Sequence, residues 1–355
     1  MKKLFALAAA SVLVLSAGML SACVAPLDPG GVNEDGSISG NYEEVDKEGL
    51  GTALSAVTLS TVLGDTQEEN WALHFSAKTG GDFSLTIGSG AAATSVDLDL
   101  DAEGALSLAL DETEKDIAFG GMSFSLKNAG LSVSGEKGVS GTAQGDLCLA
   151  PDGTFYADLA LKSGEDEIEL KGKETVSSVS AFIGSLVGGM VPFAEEVLPE
   201  EGEDVSFVQI TQQITLGNLF DMFEQYSIKV ELDDSDGYVF RLTASHEALA
   251  SMLEGTSSSL FTFGEGNVTL YLSLDENYFL RAVSVVADIS VSMEASLPDM
   301  APSMTADINA SASLSVTDES AVKLPDDPDS YTKGIFEQLF GSASMPGAND
   351  DVAAA

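Results

Sequence analysis

Any chemistry in this chain would fall to carboxylates. It carries 57 Asp and Glu against 15 Lys and Arg and 2 His, so other reactive constellations have few residues to draw on. The densest candidate is "VDLDLD", in which Asp97, Asp99 and Asp101 alternate just upstream of Gly104. A twelve-residue calcium loop needs glycine at its sixth position and glutamate at its twelfth. Counted from Asp97, those positions hold Ala102 and Leu108, and Val96, Leu98 and Leu100 interleave with the acids. The stretch reads as a strand with a wet acidic face. The alternative reading is a loose surface calcium site.

The remaining reactive residues are scattered. His74 lies in "WALHFSA", on the strand face opposite Trp71, Leu73 and Phe75. His246 opens "HEALA", which begins like a zinc-protease helix but has Ala250 where the second ligand must stand. Ser134 and Lys137 have a Ser-x-x-Lys spacing inside a glycine turn, whereas the catalytic version needs serine at a helix start. Cys148 sits between Leu147 and Leu149 with no neighbouring base to lower its pKa, which makes it an inert thiol. No Gly-x-Ser-x-Gly elbow and no phosphate-binding loop occurs. A carboxylate-based hydrolase stays open as a third reading, because 57 acids make pairings common by chance. The chain reads as non-enzymatic, with no catalytic residue, no metal ligand and no bound cofactor.

The elements that would position these residues show mostly period two. Phe83, Leu85 and Ile87 alternate with polar neighbours, as do Leu106, Leu108 and Leu110, then Met122, Phe124 and Leu126. Leu147 and Leu149 precede "APDG", Ala150 to Gly153, and Phe155, Ala157, Leu159 and Leu161 follow it. Antiparallel hairpins are expected over 70–173, with turns at Asp101–Gly104, Asn128–Gly130 and Ala150–Gly153 and a strand every eight to twelve residues. The period then changes. Val179, Phe182, Ile183, Leu186, Val187 and Met190 recur at helical spacing, predicting a helix over about 175–197. Its uncharged stretch holds four serines, three glycines and a proline, too polar for a membrane span. Leu216, Leu219, Phe220 and Phe223 predict a second helix over 216–225, and Ser245 caps a third over 246–254. Between these two, Val230 and Leu232 pair across "DDSDG" with Phe240 and Leu242.

Unusually long alternations fill 267–317, running from Phe279 to Leu297 and returning through Ala306, Ile308 and Leu314. Strands of that length require a wide, strongly bent sheet. The fold class is α+β and β-rich: a large curved antiparallel sheet, or half-barrel, with a few helices packed on its concave face. One domain is expected over 50–341. The segment 23–49 reads as a flexible acidic tether with a reach of roughly 25–30 Å, and 342–355 as a disordered tail.

Met1-Lys2-Lys3, the apolar run from Leu4 to Leu20 and "LSAC" ending at Cys23 have the order of a secretory signal peptide over 1–22. "LSAC" resembles the lipobox of bacterial lipoproteins. The resemblance implies that Cys23 receives diacylglycerol and acyl lipid (palmitate among the fatty acids), becomes the mature N-terminus and anchors the chain outside the cytoplasm at the cell envelope. Several acyl chains, each methylene worth about 0.8 kcal/mol, hold a protein on a membrane durably. With Cys23 acylated, only Cys148 remains, so no internal disulfide forms. The formal charge of −42 excludes nucleic acid as a partner.

The segments "NVTLYLSLDENYFLRAVSV", Asn267 to Val285, and "SAVKLPDD", Ser320 to Asp327, follow this long-strand layout. They resemble the penultimate hairpin and final segment of the lipoprotein-carrier superfamily, which includes mycobacterial-type lipid-carrier lipoproteins. That resemblance implies a half-barrel around helices with an apolar cavity between, and an apolar or amphipathic, lipid-like ligand. The residues that would line such a cavity are Phe182, Ile183, Leu186 and Met190 on the long helix and Phe220 and Phe223 on the next, each also suited to ordinary core packing. The alternative is a non-enzymatic surface protein of structural or adhesive role, stabilised by calcium. The oligomeric state is not legible.

Overall fold

The computed structural model describes residues 32–46, 48–64, 71–87, 93–111, 116–134, 138–175, 211–253, 261–293 and 304–335. The expected signal peptide, Cys23, nearly all of the helix expected over 175–197 and the segment from 342 lie outside the described residues. A short strand β1 (Glu43–Glu44) leads into two short helices, α1 (Gly51–Ser55) and α2 (Leu59–Val62). Six strands follow: β2 (Ala72–Ile87), β3 (Thr94–Asp111), β4 (Asp116–Val133), β5 (Val139–Leu149), β6 (Thr154–Ser163) and β7 (Asp166–Thr175). Helix α3 (Leu216–Gln225), the hairpin β8 (Lys229–Asp233) and β9 (Tyr238–Ser245), and helix α4 (His246–Leu253) come next. The long strands β10 (Phe261–Leu274), β11 (Leu280–Met293) and β12 (Met304–Thr317) precede a terminal β13 (Thr332–Lys333).

All of these strands join one curved, open sheet in the order β1-β8-β9-β10-β11-β12-β2-β3-β4-β5-β6-β7-β13. It is made of two antiparallel meanders, β2–β7 and β8–β12, fused where β12 pairs with β2 along its length, from Met304↔Ile87 to Thr317↔His74. The β-rich half-barrel expected from the alternation is the observed architecture.

Two expected turns are absent, for different reasons. At Asp101–Gly104 the chain runs straight on as β3, and Val96, Leu98, Leu100, Ala102, Gly104, Leu106 and Leu108 all register with the inward residues of β2. The period-two phase never breaks there; acids and a glycine mimic a turn on composition alone. At Asn128–Gly130 the phase does slip, from Leu126 to Ala129, but by a β-bulge. Asp101 pairs with Asn128 and Ala102 with Leu126, leaving Lys127 outside the ladder. A second bulge leaves Gly120 unpaired between Gly121 and Phe119. Bulges bend a strand and increase its twist, so a bend replaces the turn expected at Asn128–Gly130, and β2, β3 and β4 run for 16–18 residues. Gly145 adds a bend within β5 at φ +137, where a Cβ would collide with the Asp158 carbonyl oxygen.

Residues 32–46 of the expected tether are held against the domain. From residue 32 the chain is packed on the outer, polar face of the sheet. Ser284 donates from its Oγ to the Gly36 carbonyl oxygen, Ile38 is buried, and the Tyr42 ring lies 4.2 Å beneath the Arg241 guanidinium. Apolar and aromatic anchors spaced among the acids and glycines hold this segment down, which average composition hides.

Candidate functional site

The inner face is apolar along its whole width because the alternating strands all turn their aliphatic residues to it. At one end α1, α2 and α3 fill the concavity. Leu50, Leu54, Val57, Val62, Leu216 and Phe220 pack against Val230, Phe240, Leu242 and Leu274 of the sheet. Helix α3 starts where it does because Thr215 forms a capping box: its Oγ1 accepts from the Asn218 amide at 3.1 Å, and the Thr215 amide donates to Asn218 Oδ1 at 3.1 Å. Thr58 caps α2 in the simpler way, accepting from Thr61. In the middle, Trp71, Leu73 and Phe75 form a small cluster, and the Trp71 indole donates to the Leu63 carbonyl oxygen at 2.8 Å.

The other end differs. Over β3–β7, Leu100, Leu126, Leu147, Leu149, Phe155, Leu159 and Leu161 make one apolar surface, to which Ile335 is the only buried residue added, among those described, from outside the strands. Around it Phe119, Met122, Phe124 and Leu170 are only half-buried. The alternation marks Met122, Phe124 and Leu170 as inward-facing, and Phe119 joins them only because the Gly120 bulge shifts the phase; which of them remain partly open depends on curvature that no local pattern records.

Of the residues singled out for a cavity, Phe182, Ile183, Leu186 and Met190 lie outside the described residues, as does Cys23. Phe220 is 3% exposed. Its ring meets Phe240 and Phe223 in tilted, edge-on contacts with centroids 5.7 and 6.1 Å away, an arrangement worth about 0.5–1.5 kcal/mol per pair beyond burial. The structure therefore places Phe220 and Phe223 in the helix–sheet core.

The other reactive candidates are dispersed. His74 Nδ1 lies 2.9 Å from Ser107 Oγ on the outer face. His246 opens α4, 3.0 Å from Glu247, with Ser245 accepting from the Ala248 amide as the helix cap. Cys148 is buried on the outer face, and burial pushes its thiol pKa up to about 11, the reverse of what a nucleophile needs. Asp97 accepts from Ser84 Oγ and Asp99 from Asn128 Nδ2. No group of three or more His, Cys, Asp or Glu among the described residues could hold a metal ion. No described helix is long and apolar enough to cross a membrane.

No protein-family model matches the sequence, and no curated protein is significantly similar to it. Among solved structures, the chain is similar to the lipoprotein LppX of Mycobacterium tuberculosis, at 11% identity over 76% of this chain and 97% of that one. The TM-score is 0.20, too low to establish a shared fold.

Proposed function

We propose that this chain is a membrane-anchored extracytoplasmic lipoprotein, held by acyl lipid on Cys23, that shelters an apolar or amphipathic ligand against the inner face of its sheet. The observation that supports the reading is the asymmetry of that face. The described helices pack one end, whereas the β3–β7 end presents a continuous aliphatic surface rimmed by half-buried Phe119, Met122, Phe124 and Leu170. Burying a ligand's apolar area there contributes about 25 cal/mol per Å² before ordering costs. The helix predicted over 175–197 follows β7 directly, and in this reading Phe182, Ile183, Leu186 and Met190 share the surface with the ligand. The role is binding, with no reaction assigned.

Native mass spectrometry of protein extracted from its own membrane tests this directly: co-purified lipid is expected, and delipidated protein should take up a fluorescent fatty acid. Leu170→Trp, which adds bulk at the half-open rim and removes nothing from the core, should weaken uptake roughly five-fold or more with little change in melting temperature. Protein that carries no lipid and takes up no fatty acid returns the chain to the structural or adhesive reading. The anchor is tested separately, since a Cys23→Ser chain should leave the detergent phase for the aqueous one.

A further inference from the structure

The inner surface over β3–β7 is reached by the C-terminal part of the chain itself. Beyond β12 the chain crosses the outer face as a strap over residues 318–331, and β13 then pairs in parallel with β7 at the edge of the sheet. The crossing is held where it ends. Lys173 Nζ donates to the Pro328 carbonyl oxygen at 2.6 Å, and the Tyr331 ring meets Tyr156 edge-on with centroids 5.2 Å apart. Gly334 turns the chain at φ +88, a conformation open to glycine and strained for other residues. Ile335 thereby arrives on the opposite face, fully buried in the apolar inner cluster.

The seat of Ile335 follows from the pairing register. Ala157 on β6 and Gly172 on β7 are partners, and their lack of bulk leaves a notch that Ile335 fills. A Cβ at Gly172 would come within 2.9 Å of the Ile335 side chain. In the same cross-strand row stand Leu147 on β5 and half-buried Phe124 on β4. Apolar surface therefore continues from Ile335 toward β5 and β4.

The sequence that comes next matches this surface. The backbone turns helical at Ile335, and residues 336–341, outside the described ones, read Phe-Glu-Gln-Leu-Phe-Gly. At about 100° per residue, Ile335, Phe336, Leu339 and Phe340 share one apolar face. Glu337 and Gln338 take the opposite one, and Gly341 is suited to end the helix. Five helical steps advance about 8 Å, and neighbouring strands lie about 4.8 Å apart. A segment that starts over β6 and β7 thus brings Leu339 and Phe340 toward β4 and β5, where Phe124 and Met122 are half-buried. We propose that residues 336–340 dock on this inner surface as a helical turn, extending the contact that Ile335 begins. The occupant is a segment of this chain, seated there whether or not a lipid also binds.

The test is photo-crosslinking of the delipidated full chain with p-benzoylphenylalanine in place of Phe340, one aromatic exchanged for another. Intramolecular crosslinks to β4–β7 are expected, severalfold stronger than those from the same probe at Asn349. Crosslinks that fall instead on residues 176–197 or on a second copy of the chain overturn the proposal, as do crosslinks no stronger than those from Asn349. A second measurement reads the surface left behind. The pair Phe336→Asp and Phe340→Asp should raise the fluorescence of the neutral apolar dye Nile red severalfold, while Ile335 keeps the melting temperature within a few degrees. Unchanged fluorescence in the folded variant overturns the proposal, and where the aspartates unfold the protein the crosslinks decide. Neither readout requires a bound lipid, so protein found free of lipid sinks the ligand reading and leaves this one standing.

Discussion

Glu231 is a carboxylate that folding has withdrawn from water and then compensated. It is buried on the outer face of β8, where it accepts from Arg241 Nε at 2.8 Å and Lys229 Nζ at 2.9 Å. The Arg241 hydrogen bond, ahead of the Lys229 contact, holds its pKa below the ordinary 4.5. A carboxyl depressed in the folded state stabilises above its unfolded value, and that contribution is lost as pH falls from about 4.5 through the folded pKa. Glu231→Gln should therefore be less stable than the parent at neutral pH by about 1–3 kcal/mol. Thermal melts from pH 6 to 3 should show the gap closing on acidification. A gap independent of pH would mean that packing, not charge, sets the contribution. The comparison must be between the two proteins, since protonating the other carboxylates also relieves repulsion. This network was not legible locally: Glu231 and Arg241 meet only through the β8–β9 register, although the hairpin itself is plain from "DDSDG" and its flanking alternation.

Strands and helices were the most legible features. Helix α3 coincides with the apolar spacing of Leu216, Leu219, Phe220 and Phe223, and α4 begins after the serine expected to cap it. Phase, read strictly, also carried more than composition did: an unbroken phase across Asp101–Gly104 means one strand, and a one-residue slip at Lys127 means a bulge. The C-terminal strap, residues 318–331 crossing the outer face between β12 and β13, was hidden because it has no period; its fit depends on the small side chains of Ser315, Ser76, Ala105, Ser123 and Cys148 on five strands. Ile335→Ala should cost about 2–4 kcal/mol in denaturant unfolding. In a Cys23→Ser background it should also speed alkylation of Cys148, which the strap and the sheet bury together. Unchanged labelling in a destabilised variant would show that the strap stays down without its terminal anchor.

At the scale of the whole molecule the dominant quantity is the charge of −42. Among the described residues ion pairs recruit few of these acids, and those on exposed side chains, such as Lys162–Glu167 at 3.1 Å, each contribute little. Net self-repulsion of this size opposes the compact state and is screened within about 10 Å at 0.1 M salt. The melting temperature at pH 7 should accordingly rise by several degrees between about 10 and 500 mM NaCl, most steeply at the low end. A flat profile would mean that the charges are already neutralised locally.

The flanks of the chain change sides. β1, which precedes the first meander, borders the second through Glu43↔Leu232 and Glu44↔Glu231. β13, which follows the second, borders the first through Thr332↔Gly172 and Lys333↔Lys173. An open strand edge is an invitation to pair with another chain, and here each half's rim is finished by residues belonging to the other. Neither meander can be completed first. A chain cut between them would yield two fragments, each with a raw edge and each holding the other's border, so the sheet behaves as a single indivisible object in spite of its two-part chain order.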